Sequence, residues 1–301
     1  MGHDSGSIVK ELPAGIGPAR GCSGNKRNER VLTAGRGWPI SPPFSLFVMV
    51  QSSSYVVFDS PDAACQQVAA EIAQLIRKRS AVGRTTVLGL ATGNTPLPLY
   101  RELVRLHREE GLSFKNVVSF NLDEYLGLER DHPESYWSFM HRNLFDHIDI
   151  LPENIHLPSG TVAASEVPGH CAAYEAAITK AGGIDYQILG IGRTGHIGFN
   201  EPGTPIESRT QRIHLDEITR LDAASAFGGI EKVPTNAITM GCGTILEARR
   251  IALLAWGAKK ADIVKEAIEG VITDRVSASF LQTHPSATYF LDKESASALR
   301  G

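Results

Sequence analysis

From Ser54 onwards, short apolar runs alternate with longer segments in which apolar residues recur at helical spacing. The runs SYVVF, TTVLGL, NVVSF and YQIL, which begin at residues 54, 85, 116 and 186, are typical of buried strands. The first predicted helix begins at Ser60 and Pro61, a pair typical of a helix start. Strands that alternate with helices of ten or more residues predict an α/β protein with a mostly parallel sheet and helices on both faces.

Three later apolar runs extend the same pattern. AITMG begins at residue 237, RIALLAW at 250 and ATYFL at 287. We assign them to further β-α units of the same sheet, which the last run completes. Ligands of such sheets bind at the carboxyl ends of the strands, so the loops that follow these runs are the candidate site.

The first part of the chain has a different composition. Residues 1–43 contain 13 Gly or Pro, and such a segment does not bury enough apolar surface to offset its chain entropy. We predict that residues 1–48 are a disordered extension and that residues 49–301 form a single α/β domain. Because the composition changes near Met49, an alternative is that translation starts there and the native protein lacks residues 1–48.

Charge and cysteine content exclude several classes of protein. A net charge of −3 and an isoelectric point near 6.4 give no basic surface for nucleic acid or an anionic membrane. The longest apolar runs are far shorter than the roughly 18–20 residues of a membrane span, so we expect a soluble, cytoplasmic protein. The cysteines are scattered without a C-x-x-C pair, which predicts neither a zinc site nor a disulfide framework: Cys22, Cys65, Cys171 and Cys242.

The segment DYQILGIGRTGHIGFNEPG, residues 185–203, carries the strongest candidate site. It spells G-x-G-x-x-G after a strand, but the dinucleotide fingerprint needs a helix at its third glycine, and HIGFNEPG does not fit one. A solitary histidine at a strand end is usually structural. Here a carboxylate, Glu201, follows His196 five residues later in a constrained loop, where it could orient the imidazole.

Two other loops follow predicted strands. ATGNTP, residues 91–96, offers donors at the predicted start of a helix, where a phosphate is favoured; the alternative is an ordinary capped β-α turn. FNLDEY, residues 120–125, places Asp123 and Glu124 at a strand end, where their side chains point in opposite directions. One of them is expected to face a pocket as a proton-transferring base, and the alternative is a solvated acidic loop.

The remaining charged residues and histidines are less informative. Arg220 and Lys260 follow loop or strand-like segments, and surface charge is the default interpretation for both. His141 and His147 are six residues apart, which does not match usual zinc spacing. We predict no metal.

Taken in order, LGLATGNTP, FNLDEY, SYWSFMHRNLFDHIDI, LGIGRTGHIGFNEPG, TRL and GAKKADIVKEAIEG closely resemble the glucosamine-6-phosphate deaminase family, from about residue 54 to 291. NLDEY with GHIGFNEP distinguishes this family from the related 6-phosphogluconolactonases. The resemblance implies a modified doubly wound fold, an isomerisation coupled to ammonia release from an amino sugar phosphate, and no cofactor.

The resemblance also implies a role for each candidate residue. Asp123 would move a proton from C2 to C1 of the open-chain sugar, His196 would open the ring, and Glu201 would tune that imidazole. The substrate phosphate would be held by six residues: Thr92, Gly93, Asn94, Thr95, Arg220 and Lys260.

The chain departs from the family pattern at two places. Many members have an acidic residue at the position of Thr194, so His196 is left with Glu201 as its evident acidic partner. Members activated by the acetylated sugar phosphate carry Arg-x-Lys after the NEP loop, whereas this chain reads SRTQRIHL at residues 208–215. We expect weak or absent activation of that kind.

Three alternatives remain at the level of sequence. The substrate could be galactosamine 6-phosphate or another amino sugar phosphate, because no residue pattern reveals which hydroxyl configuration the pocket reads. A non-catalytic sugar-phosphate sensor of the same fold would need a DNA-binding helix-turn-helix, which residues 1–53 do not suggest. The chain could also form a homo-oligomer.

Overall fold

The computed structural model describes residues 54–300 and the backbone of residues 8–10. Residues 8–10 form a short strand, and the rest of the predicted disordered extension, with Met49, lies outside the described residues. The described strands are β1 Ile8–Lys10, β2 Ser54–Phe58, β3 Thr86–Leu90, β4 Val117–Asn121, β5 Asp123–Tyr125, β6 Ile155–His156, β7 Tyr186–Leu189, β8 Gln211–His214, β9 Asn236–Thr239, β10 Ile251–Ala255 and β11 Ala287–Asp292. The described α-helices are α1 Pro61–Ser80, α2 Leu97–Glu110, α3 Tyr136–Asn143, α4 Val167–Lys180, α5 Glu217–Phe227, α6 Cys242–Leu246 and α7 Ala261–Glu269.

The main sheet has the order β1-β2-β11-β10-β7-β3-β4-β6. All its pairings are parallel except that of β1 with β2. This confirms the predicted mostly parallel α/β fold. The last strand, β11, lies inside the sheet between β10 and β2, and all of its residues are buried.

A second, antiparallel sheet was not predicted. It has the order β5-β9-β8, so the assignment of AITMG to a β-α unit of the main sheet is wrong. The chain leaves the main sheet after β4 at Leu122, whose N–H still bonds the Leu90 carbonyl, and then enters β5. An apolar run indicates that a strand is buried but not which strand it pairs with. The pattern therefore could not assign β9 to one of the two sheets.

Buried apolar strands and one-sided helices build the core. Every residue of β3, β7 and β10 is buried, as expected for parallel strands covered on both faces. Helix α1 begins as predicted, with the Ser60 hydroxyl accepting the Ala63 N–H, and it buries Val68, Ile72 and Ile76. In the part of the chain that the structure describes, no helix is both long and apolar enough to cross a membrane.

Candidate active site

A cleft lies at the carboxyl ends of β3, β4 and β7, where their loops converge. It encloses about 570 Å³ with its open mouth included. Its walls come from all three loops and from α3: Ala91, Thr92, Thr95, Leu122, Asp123, Tyr136, Gly190, Ile191, Gly192, His196, Gly198 and Phe199.

Asp123 lies in the wall of this cleft, at the first position of β5. It is 5% exposed, and its carboxylate accepts no hydrogen bond from any residue in the described part of the chain. Burial, and after it the negative charge of Glu124, raises the pKa of Asp123 well above its usual range. A carboxylate with raised basicity that faces a cleft is suited to taking a proton from carbon.

Glu124 points the other way, as the alternation of strand side chains predicts. Its carboxylate accepts the backbone N–H groups of Tyr125, Tyr136 and Trp137 at 2.9–3.0 Å. Burial raises its pKa to about 7, although these three hydrogen bonds oppose the shift. Glu124 therefore holds β5 against the first turn of α3 and does not line the cleft.

His196 lines the same cleft, and two groups converge on its Nδ1. The Thr194 hydroxyl lies 2.9 Å from Nδ1 and Glu201 Oε2 lies 3.3 Å from it. Glu201 Oε1 accepts the Asp216 N–H. Burial favours a raised pKa for Glu201, but the hydrogen bond and charge of His196 outweigh it, so the pKa of Glu201 is lowered. Two oxygens at Nδ1 favour the tautomer that carries its proton there.

The glycines before His196 have a packing role. A Cβ on Gly192 would lie 2.1 Å from His196 Nε2, so only glycine leaves room for the imidazole at that place. The segment after Gly195 contains turns and no helix. This agrees with our rejection of the dinucleotide interpretation.

The loop after β3 forms the opposite wall. Thr92 and Thr95 line the cleft, whereas Gly93, with φ of 94°, and Asn94 are exposed beside it. Helix α2 begins at Leu97, directly after this loop, and no side chain caps its N-terminus. An uncapped N-terminus next to two hydroxyls favours an anion.

The two candidate cations differ in their positions. Lys260 Nζ donates to the carbonyl of Ile191, a residue of the cleft wall, at 2.7 Å, and burial lowers the pKa of its amine. Arg220, on α5, donates instead to the carbonyls of Ile230 and Val233. It does not line the cleft.

Sequence reasoning missed two aromatic residues of the wall, Tyr136 and Phe199, and one that supports it. Trp256, after β10, donates its indole N–H to the Thr95 carbonyl at 3.0 Å. Ser135 caps the start of α3, but nothing local in the sequence shows that the first residue of this helix faces the cleft.

The cleft thus brings together a basic carboxylate, an imidazole held by two oxygens, and a loop suited to an anion. Such groups can move protons on a small phosphorylated molecule. Among residues 54–300, no cluster of three or more His, Cys, Asp or Glu side chains is arranged to hold a metal ion.

Comparison with known proteins points the same way. Residues 59–290 match the family model described as glucosamine-6-phosphate isomerases/6-phosphogluconolactonase. The chain is 47% identical over 234 residues to a glucosamine-6-phosphate deaminase of Thermoanaerobacter pseudethanolicus, covering 78% of this chain and 92% of the relative. It is also 48% identical over 244 residues to a deaminase of the same name from Hahella chejuensis, covering 81% and 91%.

A solved structure shares both the fold and much of the sequence. It is that of a monomeric glucosamine-6-phosphate deaminase, which matches with a TM-score of 0.76 at 43% identity and covers 80% of this chain and 97% of its own.

Proposed function

Because the chain belongs to the glucosamine-6-phosphate isomerase/6-phosphogluconolactonase family, we propose that its cleft converts glucosamine 6-phosphate and water into fructose 6-phosphate and ammonium. The observation that carries this proposal is that Asp123, on β5, and His196, in the loop after β7, line one cleft. The relatives that are 47–48% identical bear the deaminase name. The substrate class is an amino sugar phosphate.

His196 is the proposed ring-opening group. Glu201 and Thr194 hold a proton on Nδ1, which leaves Nε2 to exchange a proton with the sugar ring. Glu201 also stabilises the imidazolium that forms when Nε2 takes a proton, because its carboxylate is buried and close.

Asp123 is the proposed base for the isomerisation. It removes the proton from C2 of the open-chain sugar and returns it to C1, which leaves an imine at C2. Water then adds to C2 and ammonium departs. A partly desolvated carboxylate suits this shuttle because its raised pKa makes it a stronger base that can take a proton and return it.

The phosphate is placed by Thr92, Gly93, Asn94 and Thr95 at the N-terminus of α2, with Lys260 at the edge of the cleft. Arg220 would bind the phosphate only after releasing the carbonyls of Ile230 and Val233, to which it now donates. Its proposed role rests on the family resemblance alone. The cysteines described as free, Cys65, Cys171 and Cys242, are all buried. They fit the reducing environment of the cytoplasm, where we place the reaction.

Ammonia release and fructose 6-phosphate formation by the purified chain test the proposal, with glucosamine 6-phosphate and its galacto epimer as parallel substrates. We expect turnover of the gluco compound, and loss of about 10²–10⁴-fold in kcat for Asp123→Asn, which removes only the base. Preference for the galacto epimer would instead support the alternative substrate. Absence of turnover with both compounds would refute the proposal.

A further inference from the structure

The proposed reaction needs a group that the assignments above do not supply. When the proton leaves C2, the electron pair of the C2–H bond forms the C1=C2 bond and negative charge moves to O1. A preorganised donor aimed at such an oxygen typically accelerates the step by a large factor. In the described chain the cleft is lined by the polar side chains of Thr92, Thr95, Asp123, Tyr136 and His196. Four of them have roles, and Tyr136 has none.

Tyr136 lies in the cleft beside both the proposed base and the phosphate loop. The sheet order places β4, which leads to Asp123, on one side of β3, and β10, which leads to Lys260, on the other side beyond β7. Tyr136 begins α3, which the chain forms after β5. The phosphate loop after β3 therefore lies between Lys260 and Asp123. The Tyr136 hydroxyl interacts with Thr92 of this loop and lies close enough to Asp123 for that carboxylate to act on the pKa of the phenol.

The position of Tyr136 is fixed from two directions. Its backbone N–H donates to Glu124 Oε1 at 3.0 Å, so the residue next to the proposed base also holds the helix that carries the tyrosine. Its ring lies 5.0 Å from that of Tyr125 and is stacked on Phe199 at 5.9 Å and 18°. A donor held in this way needs little reorganisation when charge develops beside it.

The phenol is also in the required chemical state. Burial, and after it the proximity of Tyr125 and Asp123, raises the pKa of Tyr136 well above its ordinary value. The group is therefore a neutral O–H donor near neutral pH, and it does not compete with Asp123 as a base.

We propose that Tyr136 is a catalytic residue whose O–H donates a hydrogen bond to O1 while Asp123 removes the proton from C2. This inference rests on the proposed function. The C2 proton goes to Asp123, the electron pair reaches O1, and Asp123 then protonates C1. One proton passes from the C2 nitrogen to O1, so the product of the step is the C1 hydroxyl with a C2 imine, an isomer of the starting aldehyde.

Tyr136→Phe tests this role because it keeps the ring packed against Tyr125 and Phe199 and removes only the hydroxyl. We expect kcat to fall by about 10²–10³-fold, as when one such donor is removed, with KM changed by less than about threefold. Substrate deuterated at C2 should show a larger isotope effect on kcat in the variant. Tyr289→Phe is the matched control, since it also removes one hydroxyl from a buried tyrosine, but that hydroxyl donates to the Ala278 carbonyl and does not line the cleft.

The outcomes separate the inference from the function on which it rests. The rates are compared at equal concentrations of protein that binds fructose 6-phosphate, so a folding defect does not imitate a lost donor. Active wild-type enzyme with an unchanged kcat in Tyr136→Phe would overturn the role of Tyr136 alone. A rise in KM without a fall in kcat would do the same, because it indicates ordinary binding. Inactive wild-type protein would overturn both proposals.

Discussion

The proposed base, Asp123, should lower the stability of the fold. Asp123→Asn should therefore make the protein more stable while it removes activity. Folded Asp123 has a raised pKa because of burial and the charge of Glu124. Between about pH 4, where an unfolded aspartate titrates, and that raised value, the folded chain binds a proton that the unfolded chain releases. Stability contributed by this group therefore falls as pH rises through that window.

The size of the effect follows from the surroundings of the carboxylate. A buried charged group without a hydrogen-bond partner costs about 1–3 kcal/mol or more. Asp123 has no partner among the described residues, but it faces the cleft, where water relieves part of the cost. We therefore expect a gain of about 1–2 kcal/mol at pH 7.5. At about 3 °C per kcal/mol for a domain of this size, the melting temperature should rise by about 3–6 °C.

Thermal unfolding between pH 4.5 and 8 measures this effect, and the gain should shrink towards the acidic end. Asp149→Asn is the control of opposite sign. Asp149 accepts the Phe114 N–H and the Ser113 hydroxyl, and these bonds outweigh burial and lower its pKa. Its stabilisation is present above the unfolded pKa and is lost as pH falls, so this variant should be less stable near neutrality. An Asp123→Asn protein no more stable than wild type at any pH would refute the reasoning.

Two further predictions concern the imidazole. Gly192→Ala should lower kcat at least about tenfold, because the new Cβ would lie 2.1 Å from His196 Nε2 and must displace the ring. Gly169→Ala, on α4 outside the cleft wall, where a new Cβ meets nothing within 4 Å, should be close to wild type in the same assay. Thr194→Val should lower kcat by about 2- to 12-fold, the range of one hydrogen bond, and Thr194→Ser should restore it. Equal rates for the valine and serine variants would show that the hydroxyl at Nδ1 does not matter.

The sequence predicted the main sheet because its signals are local. Runs such as TTVLGL bury every residue of β3, and Ser60 with Pro61 marks the start of α1 in the structure as in the pattern. The alternation of side chains along a strand also predicted that Asp123 and Glu124 diverge, which the structure confirms. These features depend on neighbours within a few residues.

Features that depend on distant partners were not predictable in the same way. The run AITMG reads as a buried strand in either sheet, and only its pairing with β5 places it in the smaller one. Tyr136 enters the cleft because Glu124 captures the N-terminus of α3, a contact between residues 12 positions apart. The hydroxyl of Thr194 lies at Nδ1 of His196, close to the carboxylate of Glu201. The family pattern alone predicted only that this position lacks an acidic residue.

After β4 the chain passes from the main sheet to the smaller antiparallel sheet, and this passage positions the two carboxylates that the proposed chemistry uses. A strand that continued in the parallel sheet would carry its side chains into covered faces, whereas the chain turns at Leu122 and begins an antiparallel pairing at Asp123. The first side chain after the turn is thereby exposed to the cleft, and the next one, Glu124, is free to hold α3. The departure from the predicted fold is thus what separates two adjacent carboxylates into a base and an anchor for α3, the helix that supplies Tyr136 to the cleft wall.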